Sequence, residues 1–184
     1  DRDNSKTGLY MYATGLSHRL RLGSKTFLKT ALSSTGSGLW HEEKRMGYDD
    51  IARPQSDVDN NSWRFTFLSS LNHYFSKSHS NETGIKYSNM GYNIDIVQSP
   101  AEGVAPLPMA SQKGHSGLIQ FYTQSKINLG KKFTLIAGLN TQWFLLNDNY
   151  SIEPRAGLTY QFNSKHSLAF AYGLHSRIED LKVY

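Results

Sequence analysis

The chain contains no cysteine. This excludes a disulfide framework, thiolate metal ligands and a thiol nucleophile. Long hydrophobic runs are missing too: the most apolar stretch, residues 133–139, already includes Thr134 and Gly138. A membrane-crossing helix needs about 20 mostly apolar residues. Helical spanning is therefore excluded, whereas crossing by strands is not, because its signal is alternation. Charged residues are scarce, 19 % against a usual ~25 %. With 11 Tyr and 9 Phe, the composition is unlike that of a disordered segment. The opening residues, Asp1 to Lys6, carry no Met and no apolar core of a secretory leader. The 184 residues amount to one domain or a piece of one.

The net charge is +5, which would suit an anionic partner. However, Lys25, Lys77, Lys131, Lys132 and Lys165 fall in predicted turns spread along the whole chain. No basic cluster interleaves with aromatics, so no nucleic-acid partner is expected.

What dominates is a period of two. Ile119, Phe121, Thr123 and Ile127 alternate with Gln120, Tyr122, Gln124 and Lys126. Phe133, Leu135, Leu139 and Trp143 alternate with Thr134, Gly138, Asn140 and Gln142. The same pattern holds for Ile152, Pro154, Leu158 and Tyr160, for Leu168, Phe170 and Tyr172, for Trp63, Phe65 and Phe67, and for shorter faces at Tyr10, Leu28 and Ile85. Alternation rich in Tyr, Phe, Thr and Ile reads as strand. A phase slip near Gly91 suits a bulge, and Gly36-Ser37-Gly38 reads as a bulge or loop.

Polar turns near 23–25, 76–78, 130–132 and 163–165 suit tight hairpins. Longer loops are expected near 47–61 and 98–115, the second holding Pro100, Pro106 and Pro108. The reading is all-β: an antiparallel meander of about eight long strands in four hairpins over 1–184, with short turns at one end and long loops at the other. Outer-membrane β-barrels are built this way. Aromatics near strand ends, Trp63 and Phe75, Phe133 and Trp143, Tyr160 and Phe162, match interfacial girdles. The polar faces, carrying Arg64, Glu82, Lys86, Gln120, Lys126, Gln142, Glu153 and Arg155, suit a wet lumen or equally a solvated outer face.

The segment Ser151-Ile152-Glu153-Pro154-Arg155-Ala156-Gly157-Leu158, followed by Ala171-Tyr172-Gly173-Leu174-His175-Ser176, resembles the barrel of TonB-dependent outer-membrane receptors of the Bacteroidetes type. The resemblance implies a barrel of about 22 strands closed around a plug, importing a nutrient across the outer membrane of a Gram-negative bacterium with energy delivered by the TonB complex. About eight strands, without a recognisable plug domain or TonB-box-like segment, make this chain an expected internal fragment of the barrel wall. Its expected partners are outer-membrane lipid, the plug domain, the remaining strands and, through the full-length protein, the TonB complex.

The candidate ligand- or lumen-facing residues are Glu153, Arg155, Lys126, Gln142 and Arg64; no catalytic residue, metal or cofactor is expected. His175 and Ser176 are adjacent on a strand and point to opposite faces, so they cannot act as base and nucleophile. The seven histidines show no zinc-ligand spacing, and Asp49, Asp50, Asp57 and Asp59 read as a solvated acidic loop. Two other architectures fit the alternation. A complete eight-stranded barrel, serving as adhesin or anchor, would pair the strand of Tyr10 with that of Tyr172. A soluble β-sandwich acting as a binding module would bury one face of each sheet on a common core.

Overall fold

The computed structural model describes residues 3–101, 103–179 and 181. They form one eight-stranded sheet, each strand antiparallel to the next: β1 (Asp3–Arg21), β2 (Thr26–Met46), β3 (Ala52–Tyr74), β4 (His79–Gln98), β5 (Leu107–Leu129), β6 (Phe133–Phe144), β7 (Asn149–Gln161) and β8 (Ser167–Gly173). The period-two pattern thus becomes an antiparallel meander. Directly paired residues share a face, so the register carries one row of side chains across the sheet. Leu16, Leu32, Phe67, Tyr87, Ile119, Trp143 and Tyr150 form such an apolar row. One position along, Ser33, Thr66, Ser88 and Leu118 form a row on the opposite face.

The two faces are sheltered in the reverse of the usual order. Buried side chains on the strands, among them Ser70, Ser88, Met90, Ser116, Phe144 and Glu153, lie on the polar face by register. Ser88 is only 2 % exposed, whereas Phe121 is 48 % and Phe170 67 % exposed on the other face. Shelter on one side and openness on the other is how a curved sheet behaves, and here the concave side is the polar one. Leu9 and Met11, on edge strand β1, are apolar residues left exposed on that side.

The described residues contain no second sheet to cover the apolar face, which excludes the sandwich. Among the described residues β1 pairs only with β2 and β8 only with β7, so the strands of Tyr10 and Tyr172 do not meet. The complete eight-stranded barrel is excluded with them.

Strand pairing reaches further than the sequence suggests. Residues 52–61 and 107–115, expected in loops, belong to β3 and β5 and pair with β2 and β4. Polar residues such as Asp57, Asn60 and Gln112 look like loop, but a strand with water on both sides still satisfies its backbone through the ladder. The prolines are tolerated because they sit at irregularities. Pro54 faces Lys44 beside the register shift at Glu43/Lys44, and Pro108 faces Val97 beside the shift at Ile96/Val97. No slip occurs at Gly91, which pairs regularly with Trp63 and His115.

Nor is Gly36-Ser37-Gly38 a bulge or loop; it lies in the regular ladder of β2. These glycines form the floor on which Tyr12 and Tyr10 lie flat: a Cβ on Gly36 would sit 2.4 Å from the Tyr12 ring, and one on Gly38 2.3 Å from the Tyr10 ring. Aromatic rings folded across glycines of the neighbouring strand repair the weakness glycine brings to a sheet. We expect Gly38→Val to destabilise the folded protein by about 1–3 kcal/mol in denaturant unfolding from lipid vesicles. Adding Tyr10→Ala should recover part of that loss; strictly additive effects would contradict the contact.

At the other end of the long strands, Arg53 holds Asp49 across the 47–51 connection through paired hydrogen bonds, one of them 2.7 Å. This bond to Arg53 lowers the Asp49 carboxyl well below the usual carboxylate range. A depressed folded-state pKa contributes stability above the ordinary value of about 3.9 and loses it only as pH falls through the lower one. Hydrogen exchange of the Gly47 and Asp50 amides should therefore be insensitive to the state of this pair between pH 7 and about 5, after intrinsic rates are removed, and protection should fall in stronger acid.

Candidate functional site

By register, Arg64, Lys126, Gln142, Glu153 and Arg155 all lie on the polar, concave face. Three of them meet. Glu153 is 3 % exposed, and a buried carboxylate needs compensation from donors or charge. Its Oε2 accepts from Asn140 Nδ2 at 3.0 Å and from Arg155 at 3.3 Å. Its Oε1 accepts from Gln142, from Ser151 Oγ at 3.2 Å, and from both the backbone N–H (3.1 Å) and the hydroxyl of Ser176.

The local sequence explains this convergence. Asn140 and Gln142 on β6, with Ser151 and Glu153 on β7, are same-face neighbours two residues apart. The 140↔153 and 142↔151 pairings bring the four together. Pro154, between the two charges, points to the apolar face and offers only its carbonyl, which Leu174 N–H uses at 3.0 Å.

Ser176 arrives from beyond β8. Past Gly173 the chain leaves the ladder, and Ile178 and Leu181 pack on Met90, Tyr92, Leu118 and Phe144. The Glu153 carboxylate is the polar anchor of this crossing and the small apolar cluster is its other support. Ser176 hydrogen-bonds Glu153, Gln142 and Ser151, with no histidine among these partners. Saturated with donors, Glu153 is built to fasten β6, β7 and residues 174–176 together rather than to exchange protons.

Sequence reasoning finds Glu153, Arg155 and Gln142 but misses Asn140, Ser151 and Ser176. The first two were accessible in principle, since same-face spacing on consecutive strands places them beside Glu153. Ser176 was not, because its position depends on a departure from the strand.

Lys126 and Arg64 stand apart from this cluster. Lys126 pairs with Ser80 and Ile136, and Arg64 reaches the Met90 sulfur at 3.8 Å. Neither has a carboxylate within ion-pair distance among the described residues. Arg155 borders two open cavities. One, of about 230 Å³, is also lined by Lys86, Gln120, Tyr122, Gln124 and Asn140. The other, of about 400 Å³, lies towards Ala171, Tyr172 and His175. The exposed polar groups of this face are thus mainly cationic and amide, with Glu82 engaged by the Tyr122 hydroxyl at 3.1 Å and Glu153 saturated.

A single antiparallel sheet with a sheltered polar side, a bare apolar side and girdles of aromatic residues is the wall of a membrane-type β-barrel. The particular family follows from comparison: residues 1–177 match the family described as TonB dependent receptor-like, beta-barrel, and the chain belongs to it. Proteins of this family are outer-membrane proteins of Gram-negative bacteria, whose full-length forms carry a plug domain and engage TonB.

Among solved structures, the chain is similar to the RagAB peptide importer in its "closed-closed" state, with a TM-score of 0.70 and 12 % identity over 94 % of this chain. It is also similar to the ferric citrate transporter FecA in its unliganded form, with a TM-score of 0.55 and 13 % identity over 91 % of this chain. The matches cover 23 % and 27 % of those chains, so this chain spans about a quarter of each. No curated protein sequence matches it.

Replacing Glu153 by Ala strands the donors of Asn140, Gln142 and Ser176 around an empty position. We expect a loss of about 2–4 kcal/mol in unfolding from lipid vesicles, together with increased protease sensitivity at residues 174–179. Unchanged protease sensitivity would mean that the carboxylate does not hold this segment.

Proposed function

We propose that the chain is a wall segment of a TonB-dependent outer-membrane receptor that imports a nutrient, completed by further strands and a plug domain and energised through the TonB complex. The observation carrying this reading is the inverted exposure of the sheet. Large apolar side chains such as Phe65, Phe121, Leu158 and Phe170 stand open on one face, and only hydrocarbon or a partner can cover a patch of that extent.

The girdle spacing supports the bilayer. Trp143 and Phe133 on β6, like Tyr150 and Tyr160 on β7, stand ten positions apart, or about 33 Å along a strand. At a tilt of about 40° this spans ~25 Å, the height of the apolar band of such barrels. The unpaired outer edges of β1 and β8 call for neighbours on both sides, in keeping with a larger barrel. On this reading Arg64, Lys126, Gln142, Glu153 and Arg155 face the lumen, where the cations and amides complement acidic groups of the plug or of an imported solute.

Single cysteines carrying an environment-sensitive fluorophore test the assignment in the native protein reconstituted in vesicles. Labels at Phe121 and Leu158 should be quenched by lipid-borne nitroxides, and a label at Gln124 only by a water-soluble quencher. Aqueous quenching at all three sites would overturn the bilayer reading. At the level of the gene, the reading requires a frame much longer than this chain that encodes a plug; a stand-alone frame of this size would refute it.

A further inference from the structure

The two ends of the sheet carry opposite charge in their connections. At one end, residues 22–25, 75–78, 130–132 and 162–166 contain Lys25, Lys77, Lys131, Lys132 and Lys165 and no acidic residue. At the other end, 47–51, 99–106 and 145–148 contain Asp49, Asp50, Glu102 and Asp148 and no Lys or Arg; Glu102 lies outside the described residues. All five lysines are exposed, and none has a carboxylate within ion-pair distance among the described residues.

The lysines also border the edge of the apolar band. Lys77 lies between Phe75 and His79, whose rings stack at 4.7 Å. Lys131 and Lys132 precede Phe133, which packs on Tyr160 at 4.6 Å, and Tyr160 in turn meets Phe162 at 4.6 Å, three residues before Lys165. His73, near the same level, is tied to Thr26 at 2.8 Å. Across eight strands the turns span about 34 Å at the usual strand spacing. The charges therefore form an arc along the sheet's end instead of a compact patch.

We propose that this arc is a binding surface for anionic phospholipid headgroups on the short-turn side of the membrane, a step that rests on the bilayer reading above. A lysine on a flexible stem places its ammonium among phosphates while the stem and the neighbouring rings stay in the interfacial layer. A line of single charges at constant depth matches a headgroup plane, whereas a folded acidic protein or a nucleic acid would be met by a clustered patch. The acidic connections at the opposite end offer no such complement, so the selectivity belongs to one leaflet.

The test uses the native protein in vesicles of phosphatidylethanolamine with or without phosphatidylglycerol. Native mass spectrometry then reads which lipids are retained. The wild type should retain phosphatidylglycerol over phosphatidylethanolamine by about tenfold or more at low salt, since each lysine near a charged surface contributes about fivefold. The combined variant Lys25→Gln, Lys77→Gln, Lys131→Gln, Lys132→Gln and Lys165→Gln should bring the preference close to unity. Lys6→Gln with Lys113→Gln, at the far end, should leave it intact, and Lys77→Gln alone should lower it partially should the combined variant fold poorly.

No preference in the wild type, or an equal preference in the combined variant, overturns the proposal. So does a variant that keeps its lipid selectivity but loses binding to a periplasmic protein. Failure of the bilayer reading is distinguished independently, because the labels at Phe121 and Leu158 would then show no lipid quenching.

Discussion

A sheet one layer thick has to find something to cover each of its faces, and that requirement governs the rest of this structure. Backbone groups in the interior strands are satisfied by the ladders from β1 to β8. Side chains are not satisfied in the same way. The polar face shelters in its own curvature, under residues 174–179 and the Leu181 cluster, while Phe, Leu and Ile on the other face meet only neighbours in the same sheet, with no second layer over them among the described residues. In water this arrangement would be unstable, because roughly 25 cal/mol is lost for each Å² of apolar surface left wet. In a bilayer it is the favoured one, with backbone polarity cancelled internally and hydrocarbon against hydrocarbon.

Register is the means by which the sequence meets this requirement. One slipped residue would send an entire strand's apolar set to the polar face. The pairing stays regular through the central rows and shifts only at Glu43/Lys44 and Ile96/Val97, towards the ends beyond the aromatic girdle. There both faces are wet, so a change of phase has little consequence. Gly36 and Gly38 serve the same end, since the rings of Tyr12 and Tyr10 lie across the sheet instead of standing off it.

The polar face shows how a buried charge is accommodated within such a wall. Glu153 is surrounded by amide, hydroxyl and guanidinium donors from β6, β7 and the crossing segment. The cost of desolvating its charge is offset locally, and the carboxylate becomes a fastening point. Arg64, Lys86 and Lys126 are among the charges of that face with no carboxylate at ion-pair distance among the described residues. The two similar transporters resemble this chain at only 12 % and 13 % identity, a level that speaks for the fold alone.

Alternation by itself determined that the chain is all-β and which residues share a face, because side-chain direction in a strand depends only on parity. Arg64, Lys126, Gln142, Glu153 and Arg155 could be grouped on that ground, and the motif around Glu153-Pro154-Arg155 indicated the family. Parity cannot say which face is concave, whether β1 and β8 meet, or where a strand ends in water, since Asp57 or Gln112 is equally at home in a loop and in a solvated ladder. Those points were decided by pairing between residues far apart in sequence. The same holds for Ser176: only once β8 ends at Gly173 and the chain turns across the sheet does a serine distant in sequence become the partner of a carboxylate on β7.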